Sequence, residues 1–315
     1  MSIENKLTYL DGTKEAIKQA IIDKGVSVTE ADTFRSYATK IGEIQGGGGD
    51  CPQGVIDLSD GVKNNFTLAN EFKGVILPSN MDNVTNMDNC FYSVNIIKEI
   101  TLPELPNLTT MSGCFNSCSS LTSITLPDLP NVNNMNLCFS FCRSLKMITL
   151  PSSLPNVTTM SGCFYSCSSL TSITLPDLPK IANMSGCFSF CRSLSSITLP
   201  DLPLVTTMYR CFNSCSSLTS ITLPDLPKVT IFGYCFYNCS SLQNLVIGNI
   251  NPNITTLTNW YISSCTKLTV ESLVNIMNAL PTITNTRTCT IGTTNIGKLS
   301  PEQLAIGTNK GWSIN

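Results

Sequence analysis

The chain has 315 residues with a formal net charge of −2, and it contains no histidine. Without histidine, Ser-His and Cys-His nucleophilic catalysis and histidine ligation of metals are excluded, so we expect a non-enzyme that needs no cofactor. The small net charge argues against nucleic acid as a partner. No apolar run approaches the about 18 residues of a membrane-spanning helix, so we expect no membrane insertion.

Residues 1–45 hold 13 of the 40 charges of the chain and predict a module of two helices. Because two helices bury too little apolar surface to fold securely alone, we expect the module to associate with copies of itself, for instance as a homotrimer, or to dock on a larger body. A cap packed on the chain's own solenoid is the alternative. The candidate attachment residues share the inward stripes of the two helices: Ile17, Ile21, Phe34, Tyr37 and Ile41.

The same 45 residues carry a resemblance to a known group of proteins. The stretches Tyr9-Leu10-Asp11-Gly12-Thr13-Lys14 and Asp32-Thr33-Phe34-Arg35-Ser36-Tyr37 resemble the N-terminal segment of many phage tail and minor structural proteins. This resemblance implies a virion-attachment module that binds other virion proteins through residues 1–45. Residues 1–10 lack the basic start and apolar core of a signal peptide, so we expect assembly in the bacterial host cytoplasm and localisation to the virion.

A Gly-rich linker, residues 46–50, and an irregular lead-in, residues 51–89, precede a long repeat region, residues 90–268. There a Cys-Phe pair recurs seven times at steps of 24 or 25 residues, which indicates stacked repeats that bury their apolar faces against one another. We call the residues at one position of successive repeats a column. The first cysteines form such a column: Cys90, Cys114, Cys138, Cys163, Cys187, Cys211 and Cys235.

One repeat, residues 121–144, shows the expected course of the chain. Ile124 and Leu126 alternate with polar residues, which predicts a half-buried strand. Two prolines then force a corner, and a second extended piece is expected around residues 132–135. The Cys-x-x-x-Cys stretch that follows predicts one helical turn with both cysteines on one face.

The repeat resembles the BspA-type leucine-rich repeat, as in Cys163-Phe164-Tyr165-Ser166-Cys167-Ser168-Ser169-Leu170 followed by Thr171-Ser172-Ile173-Thr174-Leu175-Pro176. The resemblance implies a non-enzymatic protein associated with surfaces, adhesion or phage particles. We therefore predict an α+β protein with a small N-terminal helical module, a mainly-β leucine-rich-repeat solenoid and an α/β C-terminal cap.

The predicted function is that of a virion fibre or receptor-binding component, whose solenoid contacts a host surface protein or glycan. A bacterial surface adhesin of BspA type is the alternative. A cytoplasmic enzyme or metal-storage protein that uses the thiols is a third class.

Six of the seven Cys-Phe pairs continue to a second cysteine four residues after the first. Because free cysteine is among the most buried residue types and these cysteines occupy apolar positions, we interpret them as packed thiols. Disulfides along the stack are one alternative. Zinc bound by thiolates of neighbouring repeats is another, although zinc sites generally use Cys-x-x-Cys loops.

Two sets of outward residues form the candidate contact surface. Phe141 with Arg143 and Phe190 with Arg192 occur only in alternate repeats, and partial burial at a turn is the alternative to a contact role. The other set shares one position between two prolines and forms either a solvated acidic edge or a cation-binding ladder. Its members are Glu104, Asp128, Asp177, Asp201 and Asp225, and the four aspartates are assigned to the candidate contact surface. Ser and Thr side chains on the strands form a hydroxyl face, interpreted as a solvated contact face in preference to an ice-binding one.

Residues 269–315 are predicted to form the C-terminal cap, because the open end of a stack of strands needs a cover. We expect a helix over residues 270–280, an extended segment over residues 288–291 and a last helix that starts with the capping box Ser300-Pro301-Glu302-Gln303. The end of the chain, from Leu304 through Trp312, resembles the C-terminal segment found behind such repeats in phage proteins.

Overall fold

The computed structural model describes residues 81–95, 97–250 and 259–315. In this part the chain coils as a solenoid, and each repeat contributes one short strand that pairs in parallel with a neighbouring strand. The predicted helical module, with Ile17, Ile21, Phe34, Tyr37 and Ile41, lies outside the described residues. The repeat strands are β1 (Glu99–Thr101), β2 (Ser123–Thr125), β3 (Met147–Thr149), β4 (Ser172–Thr174), β5 (Ser196–Thr198), β6 (Ser220–Leu223) and β7 (Asn244–Ile247).

The strands follow the predicted alternation, with their isoleucines in register. Ile124 of β2 lies opposite Ile100 of β1 and Ile148 of β3. The strands form three sheets, ordered β1-β2-β3, β4-β5 and β6-β7. The break after β3 falls in the 25-residue step, where Ser153 forms an isolated bridge with Asp177. The extra residue of this step therefore coincides with an interruption of the sheet.

The second extended piece of each repeat is present, but it pairs through single bridges instead of strands. The bridges join one residue of each repeat to the same residue of the next in parallel. This column consists of Asn86, Thr110, Asn134, Thr159, Asn183, Thr207 and Ile231. The solenoid is thus held by hydrogen bonds on two sides of each coil.

The predicted helical turn between the cysteines is wrong. The backbone instead makes successive tight turns, in which the amide of Cys114 donates to the carbonyl of Met111 at 3.2 Å and that of Cys118 to Phe115 at 3.1 Å. A helix cannot continue here, because the residue before the first cysteine and the third residue after it both have positive φ. The amide of Phe115 donates to the carbonyl of Cys138 in the next repeat at 2.8 Å, so the turns also join neighbouring coils.

The interior consists of columns of identical or similar side chains. The seven phenylalanines of the Cys-Phe pairs stack with ring centroids 4.9–5.5 Å apart and nearly parallel planes, as predicted. Columns of cysteine, methionine and leucine are buried around them. Full burial of each large apolar side chain contributes roughly 1.5–3 kcal/mol, so every coil is stabilised mainly by its two neighbours.

The C-terminal segment covers the last coil with a mixture of strands and helices. Helix α1 (Val270–Ala279) lies at the predicted place, and its Ser272 hydroxyl accepts a hydrogen bond from the Leu245 amide of β7 at 3.0 Å. The predicted capping box is present at the start of the last helix. The remaining elements are β8 (Trp260–Tyr261), β9 (Arg287–Thr290), α2 (Thr293–Ile296), α3 (Pro301–Thr308) and β10 (Trp312–Ile314).

Strands β8, β9 and β10 form one parallel sheet in the order β10-β9-β8, and neither β10 nor α2 was predicted. The Trp312 indole N–H donates to the Pro281 carbonyl at 2.8 Å, which ties the last strand to the segment after α1. Among the helices of the described ranges, none has the length and apolar character to cross a membrane.

Candidate binding surface

The two predicted Phe-Arg pairs lie on the turn side of the third and fifth repeats. Phe141 and Phe190 are half-buried, and Arg143 and Arg192 are exposed. Each guanidinium lies over the ring of its own repeat, 5.7 Å from the Phe141 centroid and 5.9 Å from the Phe190 centroid. Partial burial and an outward cationic group therefore occur together at both sites.

Tyr165 joins the two pairs into one continuous surface, and the sequence interpretation missed it. Its ring meets Phe141 edge to face at 5.2 Å and Phe190 at 5.4 Å. The sequence indicates Tyr165 only through its position, because it lies in the repeat between the two Phe-Arg repeats. We call Phe141, Arg143, Tyr165, Phe190 and Arg192 the turn strip.

The phenylalanines of the turn strip occupy a backbone conformation that disfavours them. Phe141 has φ 59° and Phe190 has φ 63°, in the left-handed region. Other repeats place serine there, as at Ser117 and Ser214. Left-handed conformation costs an L-residue with a Cβ roughly 1–2 kcal/mol, and bulky residues tolerate it least. Such strain is most frequent at functional positions, which makes these two rings candidates for a contact role.

A second aromatic group near the end of the repeats was not predicted. The Arg210 guanidinium lies 5.1 Å from the Tyr209 ring and 5.5 Å from the Tyr234 ring. Tyr234 in turn stacks on Tyr261 at 4.3 Å and contacts Tyr237 at 5.7 Å. Arg210 and Tyr234 also have positive φ, 55° and 59°. The signal in the sequence was a bulky residue in a column where glycine holds three of the seven positions, at Gly113, Gly162 and Gly186.

The acidic residues of the candidate surface lie on a different segment of each coil from the turn strip. Asp128, Asp177, Asp201 and Asp225 are all exposed at the corner after the strands, whereas the turn strip precedes the strands. The Asp225 carboxylate accepts hydrogen bonds from the Asn249 amide and side chain at 2.7 and 3.1 Å. In the described part of the chain no group of three or more potential ligands converges as a metal site.

The strand face is a less distinctive surface. Its outward residues are mostly Ser and Thr, as predicted, but Met147 is 63% exposed and Val246 is 44% exposed among them. Ser123 and Thr125 flank the inward Ile124, so the hydroxyl groups follow from the alternation that buries isoleucine. The Ser and Thr side chains of this face therefore need no explanation beyond folding.

The cysteine columns lie inside the solenoid. The fifteen cysteines in the described ranges are free and buried. In the second column each thiol donates to a phenylalanine carbonyl of the preceding repeat, for example Cys118 to Phe91 at 2.9 Å and Cys191 to Phe164 at 3.0 Å. Burial raises the pKa of both thiols to about 12, because a thiolate would lose its hydration there. This geometry is that of packed thiols.

The solenoid resembles several solved bacterial structures. A leucine rich repeat protein of T. pallidum aligns at 19% identity and a TM-score of 0.39, over 66% of this chain and 84% of that one. A leucine rich cell surface protein of Faecalibacterium prausnitzii aligns at 21% identity and a TM-score of 0.32, over 60% and 63%. A leucine-rich repeat protein of Bacteroides ovatus aligns at 21% identity and a TM-score of 0.27, over 66% and 80%.

Comparison with curated protein sequences gives no match. The family model of the BspA type leucine rich repeat region, in contrast, matches in six copies over residues 62–184 and 158–287. These ranges include the turn strip, the acidic corner and every repeat strand. Because the match spans well over half of the chain, the protein belongs to the BspA type leucine rich repeat family.

Proposed function

We propose that this protein is a non-enzymatic binding protein whose solenoid holds the turn strip rigidly for contact with a host surface protein or glycan. The observation that carries the proposal is the placement of Phe141 and Phe190 in left-handed backbone, beside exposed arginines. Aromatic residues and arginine are the residue types most enriched at binding hot spots. Since the same column accepts serine in other repeats, the fold does not require phenylalanine there.

Three features support a function without catalysis. The chain has no histidine to serve as a general base or metal ligand. The thiols of Cys118 and Cys191 are poor candidates for nucleophiles, because burial raises their pKa and the thiolate is the reactive form. Repeated side chains in equivalent positions suit a scaffold, since a catalytic site would be needed only once.

The proposed setting is a phage virion, in which the protein acts as a fibre or receptor-binding component. Residues 1–45 would attach to other virion proteins, and the glycines of residues 46–50 would give the solenoid reach. Support comes from the resemblance of both ends of the chain to phage structural proteins. The alternative setting is the surface of a bacterial cell, as an adhesin, and membership of the BspA type family is compatible with it.

Purified virions distinguish the two settings. We expect mass spectrometry to find the chain in virions, and cryo-EM with an antibody against residues 1–45 to place those residues on the particle. We also expect the isolated full-length protein to adsorb to host cells and to slow phage attachment. Absence from purified virions, together with detection on cells that carry no phage, would establish the adhesin setting instead.

A further inference from the structure

Charge is segregated along each coil. The turns of repeats two to seven hold three charged residues, Arg143, Arg192 and Arg210, and no acidic residue. Most carboxylates of the repeat region instead follow the strands at the proline corners, as Asp128 and Asp177 do, while Glu99 lies in β1. From the second repeat onward the turns therefore carry only cationic charge, whereas the turn of the first repeat carries Asp88, and the cationic part is complementary to an anion.

The cations and rings of the turn strip repeat at a fixed spacing. Phe141 with Arg143 and Phe190 with Arg192 occupy the same positions two coils apart, and the core rings of those coils are separated by steps of 5.5 and 5.3 Å. Tyr165 fills the coil between them with its ring edge to face against both phenylalanines. A linear polymer with a chemical repeat can make the same contact twice on such a surface.

The chemistry of the strip fits sugar rings that carry carboxylates. A guanidinium presents paired N–H donors to both oxygens of a carboxylate, which gives a charge-assisted, bidentate contact. A half-exposed aromatic ring offers an apolar face to the C–H groups of a pyranose ring. Side chains already held by packing lose little rotamer freedom on binding, and each arginine here rests on a phenylalanine ring.

We propose that the turn strip binds an acidic polysaccharide built from uronic acid units, with the arginines on carboxylates and the aromatic rings on sugar faces. This assignment rests on the proposed binding function and specifies its ligand. Serine occupies the Phe141 and Phe190 positions in other repeats, at Ser117, Ser166 and Ser214, so the strip can be removed without disturbing the fold.

The test uses the full-length protein and polygalacturonate, with calorimetric titration. Dextran is the neutral polysaccharide control, and polyglutamate is the carboxylate polymer without sugar rings. We expect polygalacturonate to bind, dextran not to bind, and polyglutamate to bind at least about tenfold more weakly, a difference of about 1.4 kcal/mol. The variants are F141S/F190S and R143Q/R192Q. The matched control is K180Q/K228Q, which removes two exposed cations outside the strip.

Both strip variants are expected to lose about tenfold or more in affinity, while the lysine control changes by less than about twofold. Thermal melts should show that F141S/F190S is folded. The inference is overturned if polygalacturonate does not bind, if polyglutamate binds equally well, or if F141S/F190S keeps its affinity.

Adsorption of the same variants to host cells separates this inference from the proposed function. If both strip variants lose adsorption but the unmodified protein does not bind polygalacturonate, the turn strip contacts hosts through a different ligand, so this assignment fails and the proposed function stands. If the unmodified protein and both strip variants adsorb equally, the turn strip is not the binding surface, so the proposed function fails together with this assignment. If the unmodified protein does not adsorb at all, the proposed function itself fails.

Discussion

Two backbone positions in each repeat distinguish the residues that the backbone conformation favours from those that it disfavours. The residue before the first cysteine and the third residue after it have positive φ in all seven repeats. Small residues, asparagine or serine fill most of these positions, as the left-handed conformation favours. Five bulky residues break the rule: Leu137, Phe141, Phe190, Arg210 and Tyr234. Four of the five belong to the turn strip or to the aromatic group around Arg210.

Two phenylalanines of one repeat are expected to differ in how much they contribute to the stability of the fold. Phe139 is fully buried in the central stack, whereas Phe141 is half-buried with φ 59°. Phe139→Ser removes a core ring and is expected to lower the free energy of unfolding by at least about 3–5 kcal/mol. Phe141→Ser loses a ring contact but relieves backbone strain, so the expected change is within about 1 kcal/mol.

Urea denaturation of the two single variants beside the unmodified chain measures both changes. Equal losses of stability would contradict this account, because they would mean that the Phe141 ring is needed for folding. A gain in stability for Phe141→Ser would support it further.

At the level of the structural elements, the columns were predictable and the turns were not. The 24-residue step and the Cys-Phe pairs give the columns directly, because stacked repeats place equivalent residues in contact. The prediction of a helical turn was wrong, because the Cys-x-x-x-Cys spacing is compatible both with a helix and with the successive tight turns that the structure shows. Only the column of glycines at Gly113, Gly162 and Gly186 hinted at left-handed backbone, and in other repeats bulky residues hide that signal.

The buried thiol columns predict how stability depends on pH. In the native protein the pKa of Cys118 and Cys191 is raised to about 12 from a reference value of 9.0. The unfolded chain therefore ionises these two thiols first, so their contribution to stability is constant below about pH 9 and is lost as pH rises toward 12. Each such thiol contributes a loss of about 1.4 kcal/mol per pH unit in that window.

Unfolding in urea between pH 8 and pH 10.5 tests this dependence. In the variant C118S/C191S the serine hydroxyls can still donate to the Phe91 and Phe164 carbonyls, but two titrating groups are gone. We expect its loss of stability above pH 9 to be smaller by about 3 kcal/mol per pH unit than that of the unmodified chain. Identical slopes for the two proteins would show that the thiols do not govern alkaline unfolding.

At the level of the whole molecule, the sequence was enough to predict the solenoid and helices α1 and α3 of the C-terminal cap. It also singled out the Phe-Arg pairs and the acidic residues as candidate surfaces. It missed Tyr165 and the aromatic group around Arg210, because those contacts join residues of different repeats and depend on which way each turn points its side chains. The positions of Phe141 and Phe190 were recognisable from their departure from the repeat. Their backbone strain, a positive φ, is visible only in the structure and not in the sequence.

Assembly is predicted to reside in residues 1–45, which stay outside the described structure. We expect the full chain to form trimers and a chain that starts at residue 46 to be monomeric, as measured by size-exclusion chromatography with light scattering. The point variant I17D/I21D, which places charge on the predicted apolar stripe, should have the same effect in the full chain. Trimers that persist after the deletion would assign self-association to the solenoid instead.

Hydroxyl-radical footprinting of the full-length protein on host cells tests the central claim most directly. Aromatic and sulfur side chains react readily, so the turn strip and Met147, which is 63% exposed on the strand face, report on two surfaces in one experiment. The account predicts that binding protects Phe141, Tyr165 and Phe190 and leaves oxidation of Met147 unchanged. Protection of Met147 with unchanged oxidation of the three rings would show that the strand face is the binding surface and contradict the account.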